Sequence, residues 1–270
     1  MRRQLAESIP YLKQRGFENP EIGIVLGSGL SEVANLIANP TVEDYRKIPF
    51  FPLSTFDFHP GKLIYGDFQG KRVIVMQGRF HLCEGHDLIE ITYPIRVMYE
   101  LGIEKLLVSN AAGALNPCYR KGEIMLITDH INLQIRSPLA FKEMAAFGKS
   151  FVTLNQAYDG EMNKKMMKIA ETQGIELHKG VYVCMVGPQL QTPAEFRFLR
   201  SIGGNAVGMS TVPEVVVANH LGLPVAGISV IAQECSEEEP EAVDLDTVLA
   251  ASKKAIPHVI ALFKNLVASL

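Results

Sequence analysis

The sequence is short of net charge, of cysteine and of long apolar runs, and each shortage excludes something. Among 270 residues, Lys plus Arg total 26 and Asp plus Glu total 29, a net charge of −3. A nucleic-acid binder usually carries a basic excess, so no nucleic-acid partner is expected. Only four cysteines occur, Cys83, Cys118, Cys184 and Cys235, far apart and with no CxxC pair. That is a poor disulfide framework for this length and a poor zinc site. Reduced thiols in a cytoplasmic protein are the expectation. No stretch reaches about 18 apolar residues without a charge, so no membrane partner is expected. The charged start Met1-Arg2-Arg3-Gln4-Leu5-Ala6-Glu7 is not followed by the apolar core of a signal peptide. HExxH, clustered acids and Cys/His ligand spacing are missing, so no metal is expected, and without GxSxG a hydrolase-type Ser nucleophile is unsupported.

What is present is an ordinary globular composition, 47% apolar and 20% charged. The length allows one large α/β domain or two small ones. Residues 5–15 read as an amphipathic helix closed by Gly16. Ile22-Gly23-Ile24-Val25-Leu26 is an apolar strand ending at Gly27-Ser28-Gly29. Leu30, Val33, Ala34 and Ile37 then recur at helical spacing, and Asn39-Pro40 ends that element. Residues 41–70 mix short strands with loop. Further strands are predicted at 72–77, 105–109, 123–128, 180–186, 205–209 and 224–231, and helices at 88–101, 160–173, 193–202, 213–220 and 243–268. Residues 138–158 read as loop-rich, and 234–241 as an acidic loop. Strands alternate with helices throughout, with no repeat and no linker. The expectation is a single α/β domain over residues 1–270, a largely parallel or mixed central sheet flanked by helices.

In such sheets ligands gather beyond the carboxyl ends of the strands. The polar residues there are Ser28, Arg79 with His81, Asn110, and Ser210 with Glu214. Gly27-Ser28-Gly29 is a strand-to-helix turn that can hold an anion on backbone N–H groups, or is simply a tight turn. It is neither GxGxxG, because position 32 is Glu, nor GxxxxGK[ST], which disfavours a dinucleotide enzyme. Alternation puts Arg79 and His81 on one side, where a guanidinium fork beside an imidazole suits an oxyanion. Ser210, ahead of Pro213, either caps the next helix or binds an anion through its hydroxyl. His59, in a Pro/Gly loop, says little by itself, and Met209 reads as a packing residue.

Longer stretches point further. Gly27-Ser28-Gly29-Leu30, His59-Pro60-Gly61-Lys62-Leu63, Met76-Gln77-Gly78-Arg79-Phe80-His81, Ser109-Asn110-Ala111-Ala112-Gly113, Asp129-His130-Ile131-Asn132-Leu133 and Gly208-Met209-Ser210-Thr211-Val212-Pro213-Glu214 follow one another in this order. With them the chain resembles the trimeric type of purine nucleoside phosphorylase nearly end to end. The resemblance implies reversible phosphorolysis of a purine nucleoside to free base and ribose 1-phosphate, as in purine salvage. Phosphate is a co-substrate, and no metal or organic cofactor is implied. Ser28, His59, Arg79, His81, the backbone at Ala111, and Ser210 surround the phosphate. Tyr182 and Met209 match ribose-side positions, and Leu190 and Val207 join them around the nucleoside. Phe147 matches an aromatic lent to the neighbouring subunit's sugar pocket, which implies a homotrimer.

Several positions depart from the family's pattern. Gly187-Pro188-Gln189-Leu190-Gln191-Thr192 stands where the family usually has Gly-Pro-Ser-Phe-Glu-Thr, so Gln191 replaces a carboxylate that grips N1–H of a 6-oxopurine. Gln233 replaces an Asn at N7 and O6. Together with His81 these two amides are the expected catalytic groups. Cys83 replaces a Tyr, and Leu245 aligns with the His that meets the 5′-hydroxyl. An amide at 191 can accept from N1–H or donate to the bare N1 of adenine. An apolar Leu245 suits a 5′-methylthio group. The alternatives are therefore a 5′-methylthioadenosine/adenosine-type phosphorylase, or a catalytically weak nucleoside-binding relative.

Overall fold

The computed structural model describes residues 1–55, 59–134, 136–234 and 245–270. An N-terminal helix, α1 (Arg2–Gln14), leads into β1 (Ile22–Leu26), all five residues of which are buried. A strand covered on both faces reads as a continuous apolar run rather than an alternation. That is why this element is legible in sequence. A 3-10 helix, Ser31–Leu36, follows in place of an α-helix. Its first residue has no side-chain cap, and Asn39-Pro40 falls too soon for more turns. Pro40 lies in β2 (Ala38–Asp44), whose pairing with β3 slips between Ala38 and Thr41. Because β2 is at the sheet edge, Pro40 costs no central ladder bond.

β3 (Lys62–Phe68), β4 (Lys71–Gln77), α2 (Leu88–Leu101), β5 (Lys105–Ala114), β6 (Ile124–Asn132), α3 (Gly160–Gln173) and β7 (Leu177–Cys184) come next. They are followed by α4 (Pro193–Ser201), β8 (Ala206–Gly208), α5 (Val212–His220), β9 (Val225–Glu234) and α6 (Leu245–Ala268). Local chemistry sets several ends. Asp87 and Thr192 cap α2 and α4 through capping boxes with Glu90 and Glu195, and Pro193 opens α4. Gly174 ends α3 in the left-handed conformation.

The strands form one mixed sheet in the order β2-β3-β4-β1-β5-β8-β7-β6-β9. β9 also pairs in parallel with β5, so β5, β8, β7, β6 and β9 close into a ring. One apolar core packs α1, α2 and α5 on one face of the sheet. A second packs α3, α6 and the first 3-10 helix on the other. The chain has a mixed α/β fold, one sheet flanked by helices. Among the described residues no helix is long and apolar enough to cross a membrane.

The architecture gathers one set of strand ends. β1 and β4 run parallel, as do β1 and β5, and β5 and β9. Their carboxyl ends therefore open on the same side. Gly27 lets β1 come this close to β5: a Cβ there would lie 2.6 Å from Cα of Asn110.

Candidate active site

A cavity of about 270 Å³ opens at those ends. Gly27 and Ser28 come from the end of β1, Arg79 and His81 from beyond β4, and Asn110 to Gly113 from β5. Val207 to Ser210 extend from β8, and Ala232 and Gln233 from β9. Pro188, Leu190 and Gln191 close one side, with Val248 of α6 and Cys83.

Arg79 is 1% exposed and lies at the centre of a buried polar group. Its Nη1 donates to Ser210 Oγ at 2.9 Å and to Thr211 Oγ1 at 2.8 Å. Its Nε lies 3.3 Å from Glu214 Oε1, a carboxylate that is itself buried. Asn110 Nδ2 also donates to Thr211 Oγ1, at 2.9 Å. Nη2 of Arg79 makes no hydrogen bond among the described residues. A buried guanidinium donor without an acceptor costs free energy, and this one belongs to a residue of the cavity wall. Thr211 has φ +73, a conformation a β-branched residue rarely adopts. That strain is held by the three side-chain contacts on its hydroxyl and its neighbour. Thr211, rather than Ser210, occupies the N-cap of α5, with no side-chain cap bond.

His81 is oriented from behind. Its Nδ1 lies 2.9 Å from Glu84 Oε1, which also accepts the His81 backbone N–H at 2.9 Å. The other oxygen of Glu84 accepts from Thr55 N, Thr55 Oγ1 and Ser54 Oγ. Burial alone would raise the Glu84 carboxyl, but the hydrogen bonds from His81 and Thr55 outweigh it and hold it down to about 2. An ionised carboxylate only accepts, so Nδ1 of His81 carries the proton. His59 stacks on His81, with ring centroids 5.5 Å apart and an interplanar angle of 17°. Burial, and then the nearby His81 and Arg79, lower the His59 imidazole to about 3, so it is neutral near pH 7.

Of the residues expected around phosphate, Ser28, Arg79, His81, Ala111 and Ser210 line the cavity together, and His59 stands behind His81. Of those expected around a nucleoside, Leu190, Gln191, Val207, Met209 and Gln233 line it. Gln191 Nε2 rests 3.5 Å from Met185 Sδ. Tyr182 does not reach the wall. It is fully buried behind Gly208, and its hydroxyl accepts the Ser210 N–H at 3.4 Å. A Cβ on Gly208 would collide with that hydroxyl, so the ring supports the cavity from below. Phe147 also lies outside the cavity, against Phe141 and beside α1. The Leu245 side chain, and all of the acidic loop except Glu234, fall outside the described residues.

The phosphorylase superfamily model matches residues 21–268. The chain is 44% identical over 268 residues to purine nucleoside phosphorylase 1 of Bacillus subtilis, covering 99% of each. The chain belongs to the purine nucleoside phosphorylases of that superfamily. Solved relatives agree. The Schistosoma mansoni enzyme in complex with adenosine has a TM-score of 0.93 at 36% identity, over 98% of this chain and 96% of that one. The second isoform from the same organism, in complex with cytosine and ribose-1-phosphate, has a TM-score of 0.94 at 35% identity, over 99% and 96%.

Two residues of this phosphorylase site were not singled out from sequence. Glu84 has a signal, three residues beyond His81 in the spacing of a capping box. Thr211 has none, because its role depends on a backbone turn that only the packed structure reveals.

Proposed function

We propose that this chain is a purine nucleoside phosphorylase that transfers the pentose of a purine nucleoside to inorganic phosphate, with the anion held between Arg79, Ser28, His81, Ser210 and the backbone at Ala111. The observation that carries the reading is the Nη2 donor of Arg79, buried without a hydrogen bond in a residue of the cavity wall whose Nη1 is already bonded to Ser210 and Thr211 and whose Nε is only ion-paired with Glu214. A phosphate oxygen is the acceptor that suits it, and a guanidinium serves that role better than an ammonium. Phosphate is a co-substrate, and the residues present need no other cofactor for this chemistry.

The steps follow from charge. As the bond from C1′ to the base nitrogen breaks, positive charge grows on the sugar and negative charge on the base. A phosphate fixed beneath the sugar meets the first. Amide donors at the base end, Gln191 and Gln233, meet the second, and oriented donors of this kind act most strongly where water is excluded. A phosphate oxygen then forms the new bond to C1′, and the base leaves with the bonding electron pair and takes up a proton. Glu84 and Tyr182 position His81 and Ser210 and touch no substrate. Glu214 sets the guanidinium of Arg79 in the same way. Met209 and Val207 pack against the sugar.

Three further elements belong to this reading. Residues 1–270 form one domain, supported by the single sheet. A cytoplasmic role in purine salvage is supported by the unpaired thiols of Cys83, Cys118 and Cys184. A homotrimer in which Phe147 reaches the neighbouring sugar site is supported by the position of that ring, away from its own cavity and beside α1. Analytical ultracentrifugation tests it: a monomer overturns the shared site.

A second reading concerns the base. The described residues lining the cavity include three carboxamides, Asn110, Gln191 and Gln233, and no carboxylate; the two glutamines are those expected at the base. An amide can serve adenine as well as a 6-oxopurine, so adenosine and 5′-methylthioadenosine are the alternative substrates. Product analysis by phosphorus NMR tests the main reading. Inosine with phosphate should yield ribose 1-phosphate, and appearance of free ribose alone would overturn it.

A further inference from the structure

A second cluster of donor atoms lies outside the cavity. Glu123 immediately precedes β6, and Glu176 and His178 flank Leu177 at the start of β7. β6 and β7 pair in parallel with Ile124 opposite Leu177 and Met125 opposite His178. Residues two apart on a strand face the same side, so Glu176 and His178 share one face while Leu177 turns into the core. Their register brings Glu123 alongside. One ligand-type atom from each of Glu123, Glu176 and His178 falls within 4.8 Å of the other two.

Two of the three are held in place. The His178 ring lies flat on Tyr119, with centroids 4.3 Å apart and an interplanar angle of 22°. The Tyr119 hydroxyl is itself tied to the Lys179 carbonyl at 3.0 Å. Glu123 Oε2 lies 2.8 Å from His178 Nε2 and accepts the Arg120 N–H at 2.8 Å. Glu176 makes no hydrogen bond or ion pair among the described residues, although it carries a second negative charge toward the same imidazole. One ring nitrogen cannot bond both carboxylates. A divalent cation can.

We infer that Glu123, Glu176 and His178 form a binding site for a zinc-type divalent metal ion that clips β6 to β7. One imidazole nitrogen with two carboxylate oxygens is a borderline donor set, suited to Zn²⁺, whereas Mg²⁺ and Ca²⁺ favour oxygen ligands alone. Three protein ligands leave a fourth position for water. The site is independent of the proposed phosphorolysis and takes no part in it. Sequence spacing conceals it, because Glu123 and His178 are joined only by strand register. Its neighbourhood is nonetheless close to the active cavity: Glu123 O accepts the Ile231 N–H at 2.9 Å, two residues before Gln233 on β9.

The test is calorimetric titration of the metal-stripped full chain with Zn²⁺ in phosphate-free buffer, repeated on Glu176→Gln and His178→Ala. Wild type should bind one ion per chain and gain thermal stability with added zinc, as binding to the folded state requires. Each variant should bind at least tenfold more weakly and lose the stabilisation. Mg²⁺ at a large excess should not displace the zinc. Glu176→Gln alters an exposed side chain with no partner among the described residues, so its fold and its phosphorolysis rate without zinc should match wild type. Absence of saturable zinc binding in wild type would overturn the inference. So would wild-type affinity retained in both variants, which would place the ion elsewhere, for instance on the cavity's His81 and Cys83.

Discussion

Replacing Glu84 by Gln should damage phosphate use more than it damages the fold. Glu84 Oε1 serves the His81 backbone N–H and Nδ1, and Oε2 serves Thr55 N, Thr55 Oγ1 and Ser54 Oγ. A carboxylate can accept all of these. A carboxamide has one accepting oxygen, so its NH2 must face one set of donors. If the NH2 faces His81, the imidazole must move its proton to Nε2, the backbone N–H is left unpaired, and the donor pattern presented to phosphate is reversed. If it faces Thr55, the contacts of Ser54 and Thr55 with residue 84 are lost instead. A buried donor left unpaired costs about 1–3 kcal/mol, and exchanging a charged for a neutral acceptor costs about 1 kcal/mol more. The two costs together are about 2–4 kcal/mol, so at 1.4 kcal/mol per decade the His81 arrangement predicts a loss of roughly 30- to 700-fold in kcat/KM for phosphate. Initial rates at saturating nucleoside and varied phosphate measure it, with thermal denaturation in parallel. An unchanged phosphate dependence beside a lowered Tm would refute the reasoning and leave Glu84 as a loop staple.

Further outcomes follow from the same contacts. Arg79→Met strands Glu214 as a buried charge, so unfolding free energy should fall by about 3–5 kcal/mol, with Arg79→Met/Glu214→Leu regaining part of it; urea melts in which Arg79→Met equals wild type would contradict the buried pair. His59, neutral in the folded state down to about pH 3, takes up a proton in the unfolded chain below about 6.5. The unfolded state then binds more protons, so stability is full above that value and declines as pH falls from 6.5 toward 3. His59→Gln should flatten this part of the pH–Tm curve, and an identical slope in the variant would show that other groups cause it. Gln191→Glu should move preference from adenosine toward guanosine by tenfold or more, since a carboxylate cannot donate to the bare N1 of adenine; an unchanged rate ratio would mean that residue 191 does not face the base.

How much of this could be read from the chain varies with how local each determinant is. β1 reads directly because Ile22–Leu26 is apolar throughout and stops at Gly27. Helix α4 reads from Pro193 and the Thr192–Glu195 box. The 3-10 segment at 31–36 does not, because the spacing of Leu30, Val33 and Ala34 suits either helix and the choice is made by packing. β5 and β6 run past the strongly apolar stretches that mark them, through Asn110–Ala114 and Asp129–Asn132, because those small or polar tails pair within the closed ring. In the cavity, Ser28, Arg79, His81 and Ser210 are legible as polar residues at strand ends. Tyr182, expected at the ribose side, is buried behind the cavity wall, since a sequence does not reveal that Gly208 leaves room for its hydroxyl. Phe147 acts outside its own chain in this reading, and no single-chain pattern can place it. Gln191 and Gln233 stand out only against the family's motif, and their preference for base rests on hydrogen-bond chemistry.

The central claim is that phosphate, and not water, accepts the pentose. The most direct measurement is the initial rate of base release from inosine, guanosine, adenosine and 5′-methylthioadenosine, each with phosphate varied from zero to saturation. Release should rise from a negligible rate without phosphate to a plateau, for at least one of these purine nucleosides. Equal cleavage with and without phosphate would contradict phosphorolysis, and no cleavage of any of them, with nucleoside binding retained, would contradict catalysis itself.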